Sequence, residues 1–304
     1  MDEYIQAGVY ASERKISGRL KKKMPICGKM IIVFMIMNIL LKLATRFFLP
    51  AGIVAALCPS VSFAVVFYGI FGKEFRELLK YSFGREKNSR GKVMGSVAKC
   101  IFTFVVITLC LGLVVKLTDL TGIDIFSDSI KVSVPIKGFS GIVYGIYMCL
   151  VSPFIYELIF RGAVMNNLAV KGENTAVFVS ALLFALLHGV YITWIYSFAM
   201  GLLLGASSLK AKSLMTSVKV NFITMVLVYG LMMSVNRNIK ILYIPLFFVI
   251  GFFAVVGMLL TVVEKLSRNK KIKDKVNFST LTSKWVIIAA SLMVAEDILF
   301  ILLG

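Results

Sequence analysis

Ser152-Pro153-Phe154-Ile155-Tyr156-Glu157-Leu158-Ile159-Phe160-Arg161-Gly162 sets a carboxylate and a guanidinium at i and i+4 inside an otherwise apolar run. Each ionisable group at the centre of such a helix costs roughly 2.5–3.5 kcal/mol on insertion scales, so its presence needs a partner or a purpose. A glutamate four residues ahead of an arginine faces it across one helical turn and can hold it as an ion pair. The chain's single histidine, His188, follows in the next apolar segment.

Working outward, the 304 residues are 59% hydrophobic, against about 45–50% in an ordinary globular domain. The excess is gathered into long runs, the pattern of a polytopic helical membrane protein. The net charge is +19, from 34 Lys+Arg against 15 Asp+Glu. These basic residues sit in loops between apolar runs, where the positive-inside rule accounts for them, and no folded soluble domain offers a basic face to nucleic acid. Cys27, Cys58, Cys100, Cys110 and Cys149 form no CxxC pair and are expected to be buried as small hydrophobes.

Nine spans are expected, at about 26–48, 51–72, 93–115, 139–168, 176–192, 194–209, 213–235, 241–263 and 284–303. Leu49-Pro50 divides the first two. Arg14, Lys15, Arg19 and Lys21 to Lys23 precede the first span with no small-residue cleavage site, so an uncleaved cytoplasmic N-terminus is expected. The basic loops 73–92 and 264–284, Lys171, and the Lys210/Lys212 pair then fall on the cytoplasmic side and the C-terminus outside, in a bacterial plasma membrane. Residues 71–92 carry Phe75, Leu78, Leu79 and Phe83 against basic residues and are expected to form an interfacial amphipathic helix.

The turn Lys171-Gly172-Glu173-Asn174 folds the fourth span onto the fifth. Glu157 and His188 lie about 15 residues to either side of it, so at 1.5 Å per residue two helices bring one titratable group each to a similar depth. Singly, Glu157–Arg161 could be a structural ion pair and His188 a hydrogen-bonded core group; their joint placement points to a shared site. Glu296-Asp297 in the last span is expected to reach the outer interface or a water-filled seam, with an ion path as the alternative. Lys219 is expected to snorkel to the cytoplasmic end of the seventh span.

Tyr156-Glu157-Leu158-Ile159-Phe160-Arg161-Gly162 and Phe184-Ala185-Leu186-Leu187-His188-Gly189 resemble the CPBP family of intramembrane endopeptidases, which includes CAAX prenyl proteases and bacteriocin-immunity relatives. That family carries E-E-x-x-x-R, F-x-x-x-H and H-x-x-x-N on successive helices. The passage Phe198-Ala199-Met200-Gly201-Leu202-Leu203-Leu204-Gly205, followed by Lys212-Ser213-Leu214, is similar to its lead-in to the third motif. The resemblance covers about residues 139–235, which leaves 1–138 as an N-terminal tail with three spans and 236–304 as two further spans. It implies that Glu157 and Arg161 match the second glutamate and the arginine, and His188 the second-motif histidine. Tyr156 stands where the first glutamate would be, Asn221 at the third-motif histidine and Met225 at its asparagine.

A phenol with an ordinary pKa near 10 is a poor general base at neutral pH. Asn221 can still donate to an oxyanion, whereas Met225 has no donor. One histidine, one carboxylate and an asparagine fall short of the ligands of a catalytic zinc, so neither a metal nor another cofactor is expected. The expected function is a degenerate CPBP-like protein with reduced or no proteolysis that binds a membrane protein or a hydrophobic, even prenylated, peptide, for immunity or regulation. One alternative is an active endopeptidase with an altered site, in which Glu157 and His188 handle water and protons, Arg161 orients Glu157 and Asn221 holds the oxyanion. Another is a small transporter using Glu157 or the Glu296-Asp297 pair.

Overall fold

The computed structural model describes residues 25–79, 89–121, 138–169, 172–188, 192–236, 238–267 and 283–302, and among them every regular element is a helix. The order is α1 (Pro25–Thr45), α2 (Ala51–Ile70), α3 (Gly72–Leu79), α4 (Ser89–Thr121), α5 (Gly138–Leu168), α6 (Glu173–Leu186), α7 (Ile192–Ala211), α8 (Leu214–Asn236), α9 (Lys240–Ser267) and α10 (Lys284–Leu302). Six of them, α1, α2, α4, α5, α8 and α9, are long and apolar enough to cross a bilayer. The chain is an all-helical, multi-pass integral membrane protein. Of the other three expected spans, 176–192 is occupied by α6, a shorter apolar helix of 14 residues, and 194–209 and 284–303 coincide with α7 and α10.

Proline and glycine set several boundaries. Pro25 opens α1, where its missing N–H would have had no partner, and Pro50 separates α1 from α2. Gly172, at φ 122°, leads the chain into α6 in a conformation that L side chains rarely adopt. The outer face of α9 is lined by Phe247, Phe248, Phe252, Val255 and Leu259, all exposed, which suits hydrocarbon rather than water.

The larger core joins α1, α2, α3, α5, α6 and α10, through residues such as Phe34, Phe67, Phe75, Ile159, Phe184 and Met293. The segment expected to lie on the membrane surface is drawn into this core. Phe75 and Leu78 of α3 are buried, with Phe75 edge-on to Phe63 and Phe67, and a Cβ at Gly162 of α5 would come within 2.5 Å of Leu79 Cδ2. The apolar face of α3 thus packs on α5, while Phe83 lies outside the described residues. A second core joins α4, α7, α8 and α9. Lys99 of α4 and Lys210 of α7 both donate to Glu264 of α9, which ties three helices together at one end of this bundle.

Cys27, Cys58 and Cys100 are buried free thiols, and Cys149 is half-buried. Cys110 departs from the expected burial: it is exposed on α4, beside the outward-facing Leu109 and Leu113. Glu296 departs too. It is buried in protein, 5% exposed, taking hydrogen bonds from Asn38 Nδ2 at 2.9 Å and Lys42 Nζ at 2.5 Å of α1.

Candidate functional site

The middle of α5 departs from α-helical register twice, in the π-helical stretches Tyr147–Val151 and Leu158–Met165. A π turn bonds i to i+5, which shifts side chains around the axis and changes which carbonyls are engaged; such turns are frequent at functional sites. Tyr156 and Glu157 end the α-helical segment between them. Phe160 O, within the second stretch, accepts from Ser180 Oγ of α6 at 2.8 Å. Ser180 is 1% exposed, so Ser180→Ala leaves no side-chain donor there and is expected to lower stability by about 1–3 kcal/mol, read as a shift in detergent thermal unfolding.

Glu157 is fully buried. Its Oε1 lies 3.3 Å from Arg161 Nη1 and accepts from Asn221 Nδ2 at 3.1 Å, with Ser217 beside it. Arg161, 1% exposed, donates from Nη2 to Gly201 O at 2.9 Å, and its guanidinium stacks 4.6 Å from the centre of the Phe184 ring. This arrangement depends on glycine at 201, because a Cβ there would meet Ala181 Cα at 2.9 Å. The contact lets α7 close on α6 and presents a carbonyl to the arginine. Cys100 of α4 lies within range of both charges and beside Thr224 of α8.

His188 is placed differently from the expectation. It does not lie within a continuous fifth span: α6 stops at Leu186, and the His188 amide donates to Ala185 O at 3.0 Å in a closing turn. Thr193 Oγ1 donates to His188 O at 3.0 Å. Fourteen residues make a helix of about 21 Å, short of the roughly 30 Å hydrocarbon thickness, and the half-buried histidine follows its last turn. His188 Nδ1 lies 2.7 Å from Phe184 O. A carbonyl only accepts, so Nδ1 carries the proton and Nε2 the lone pair.

Tyr156 faces His188. Their ring centres are 4.9 Å apart in an edge-on contact, and the Tyr156 hydroxyl shares a 2.9 Å hydrogen bond with that of Tyr147. Phe184 lies 4.2 Å from the histidine ring centre and 5.5 Å from that of Phe160. The four expected site residues therefore converge in two halves. Glu157, Arg161 and Asn221 form a polar knot; His188 and Tyr156 form an aromatic layer; Phe184 touches both.

Asn221 spends an N–H on Glu157, so its observed part is to orient that carboxylate. Met225, one turn on, is half-buried. Tyr147, Ser180, Phe184 and Gly201 were not singled out as site residues by the sequence, although Phe184 and Gly201 lie inside the motifs quoted. Among the described residues, no group of three or more His, Cys, Asp or Glu converges on a point that could hold a metal ion.

Residues 138–225 match the family model described as type II CAAX prenyl endopeptidase Rce1-like. The matched segment runs from the start of α5 to Met225 and contains every residue of both halves of the site. At family level this region is similar to the CPBP-type membrane peptidases, as the motifs implied. No curated protein and no solved structure matches the chain.

Proposed function

We propose that this chain uses a CPBP-type peptidase scaffold to hold a hydrophobic segment of a membrane protein or peptide, with little or no cleavage. The observation that carries the proposal is Tyr156: at the place of the first glutamate, a phenol packs on His188 and commits its hydroxyl to Tyr147. The carboxylate that remains, Glu157, is committed through Oε1 to Arg161 and Asn221. Removing a proton from water requires a base in contact with that water, and neither group offers one beside the histidine. What the cluster still offers is binding capacity. Glu157 Oε2, Asn221 Oδ1 and Arg161 Nε are buried without hydrogen-bond partners, a mixture of acceptors and a donor suited to a peptide group. The distribution of basic loops supports a cytoplasmic N-terminus and an external C-terminus for this function.

One observation favours an active enzyme as the second reading. His188 Nε2 retains its lone pair, so the histidine could still accept a proton. A hydrophobic peptide of about 20 residues carrying a diazirine, long enough to span a bilayer, separates the two. The proposal expects photocrosslinks on the segments around Tyr156, His188 and Asn221, with the peptide recovered at full length. Crosslinks confined to the lipid-facing surface of α9 would contradict holding. Turnover lost in both Glu157→Ala and His188→Ala would establish the second reading.

A further inference from the structure

The acidic pair of the last helix lies outside the central cluster but is tied to the residues that hold His188. Glu296, 5% exposed, takes hydrogen bonds from Asn38 Nδ2 at 2.9 Å and Lys42 Nζ at 2.5 Å, which fasten α10 to α1. The next residue, the half-buried Asp297, takes a hydrogen bond from the side chain of Trp194, whose only donor is its indole N–H. A bond to an ionised acceptor is about twice as strong as one between neutral groups. Trp194 lies in the first turn of α7, next to Thr193, and Thr193 Oγ1 donates to His188 O at 3.0 Å. α10 also packs directly on α6, the helix that His188 follows. One helix thus contacts both elements that flank the histidine.

The last carbonyls of a helix have no partner within it and need one from elsewhere. At the end of α6 the His188 amide donates to Ala185 O at 3.0 Å, and the His188 carbonyl is taken by Thr193. Both backbone groups of the histidine are therefore engaged. Its ring, with Nδ1 2.7 Å from Phe184 O, is directed into the aromatic layer with Tyr156.

We infer that Asp297 and Trp194 are positioning residues for His188. Anchored on α1 through Glu296, α10 fixes the first turn of α7, and Thr193 passes that constraint to the histidine. The acidic pair is then a brace: Glu296 secures the helix, and Asp297 uses that anchorage to hold Trp194. This goes beyond the holding function, because it concerns where the histidine sits and applies to a binding site and a cutting site alike.

The chain's single histidine makes the test direct. Full-length protein carrying isotope-labelled histidine, in detergent, gives the NMR ring signals of His188 alone. Wild type is expected to show one set, with the proton on Nδ1. Asp297→Ala, Trp194→Phe and Thr193→Val are each expected to add a second set, as the ring leaves Phe184 O for part of the time. Asp297→Asn keeps an acceptor oxygen and Thr193→Ser keeps the hydroxyl, so both are expected to give the wild-type spectrum. The control, Lys99→Met, removes a contact between α4 and α9 and is expected to leave His188 unchanged. A second set in Lys99→Met would mean that any loosening of the fold moves the ring, and would overturn the assignment. An unchanged spectrum in folded Asp297→Ala and Thr193→Val proteins would overturn it too, as would several sets in the wild type. If Asp297→Ala does not fold, Trp194→Phe, which deletes the indole N–H and keeps an aromatic ring, decides in its place.

Discussion

Gly257→Leu is expected to leave no properly folded protein. A Cβ at Gly257 would lie 2.1 Å from Ala98 O, 2.5 Å from Ala98 C and 2.8 Å from Phe102 Cβ, so even alanine collides with the backbone of α4. Flexible side chains can rotate away from such a clash, but a carbonyl in the middle of a helix cannot move alone. Overpacking a core typically costs about 1–3 kcal/mol, and a clash of backbone with backbone belongs at or beyond the upper end. Relief requires α9 to draw away from α4, which would also strain the contact of Glu264 with Lys99 and Lys210. The control is Gly251→Ala on the same helix, where nothing lies within 4 Å of the added carbon. Size-exclusion profiles and thermal unfolding in detergent should show Gly257→Leu aggregated, Gly257→Ala strongly destabilised and Gly251→Ala at or slightly above wild type. A well-folded Gly257→Leu protein would contradict the α4–α9 contact.

The second large effect is expected at the ion pair. Breaking a buried salt bridge by deleting one partner costs about 3–5 kcal/mol, because the other charge is stranded. Arg161→Ala should sit at the top of that range, since it also removes the hydrogen bond to Gly201 O and the cation–π contact with Phe184. Glu157→Ala strands Arg161 and should cost a similar amount. The double variant Glu157→Leu/Arg161→Met, apolar on both sides, should recover most of the loss, because a buried pair contributes little net stability over well-packed apolar groups. With Glu157→Ala/Arg161→Ala as the closing corner, chemical or thermal unfolding of wild type, the two alanine singles and their double gives the coupling directly. Additive losses would mean that the two charges do not depend on each other.

Much of the site could be read from local spacing. Glu157 and Arg161 are four residues apart and do pair, and the third-motif position that the resemblance assigned to Asn221 holds an amide that does reach Glu157. Other features depend on facts that spacing does not carry. The depth argument placed His188 near Glu157 but within a continuous helix, because Gly189 and the residues after it continue an apolar composition; the end of α6 at Leu186 is a tertiary outcome. The π-helical stretches of α5 leave no compositional mark. The role of Gly201 was hidden, since a glycine in a membrane helix signals close approach without naming what approaches. Here it is Ala181 on one side and the Arg161 guanidinium on the other. The burial of Glu296 was not legible because its partners, Asn38 and Lys42, are 258 and 254 residues away in sequence. Phe75 and Leu78 looked like a membrane-surface stripe for a related reason: an apolar face suits a lipid surface and a protein core equally.

We propose that Tyr156 turns a cutting site into a holding site, and cleavage under single-turnover conditions is the decisive measurement. Wild type, Tyr156→Glu and Tyr156→Glu/Asn221→His are each incubated in excess over a panel of prenylated and transmembrane peptides, with products identified by mass spectrometry. Intact peptides are expected with the wild type and new cleavage with the double variant, which restores a carboxylate beside His188 and an imidazole at the third-motif position. Cleavage by the wild type, lost in Glu157→Ala and in His188→Ala, would contradict it.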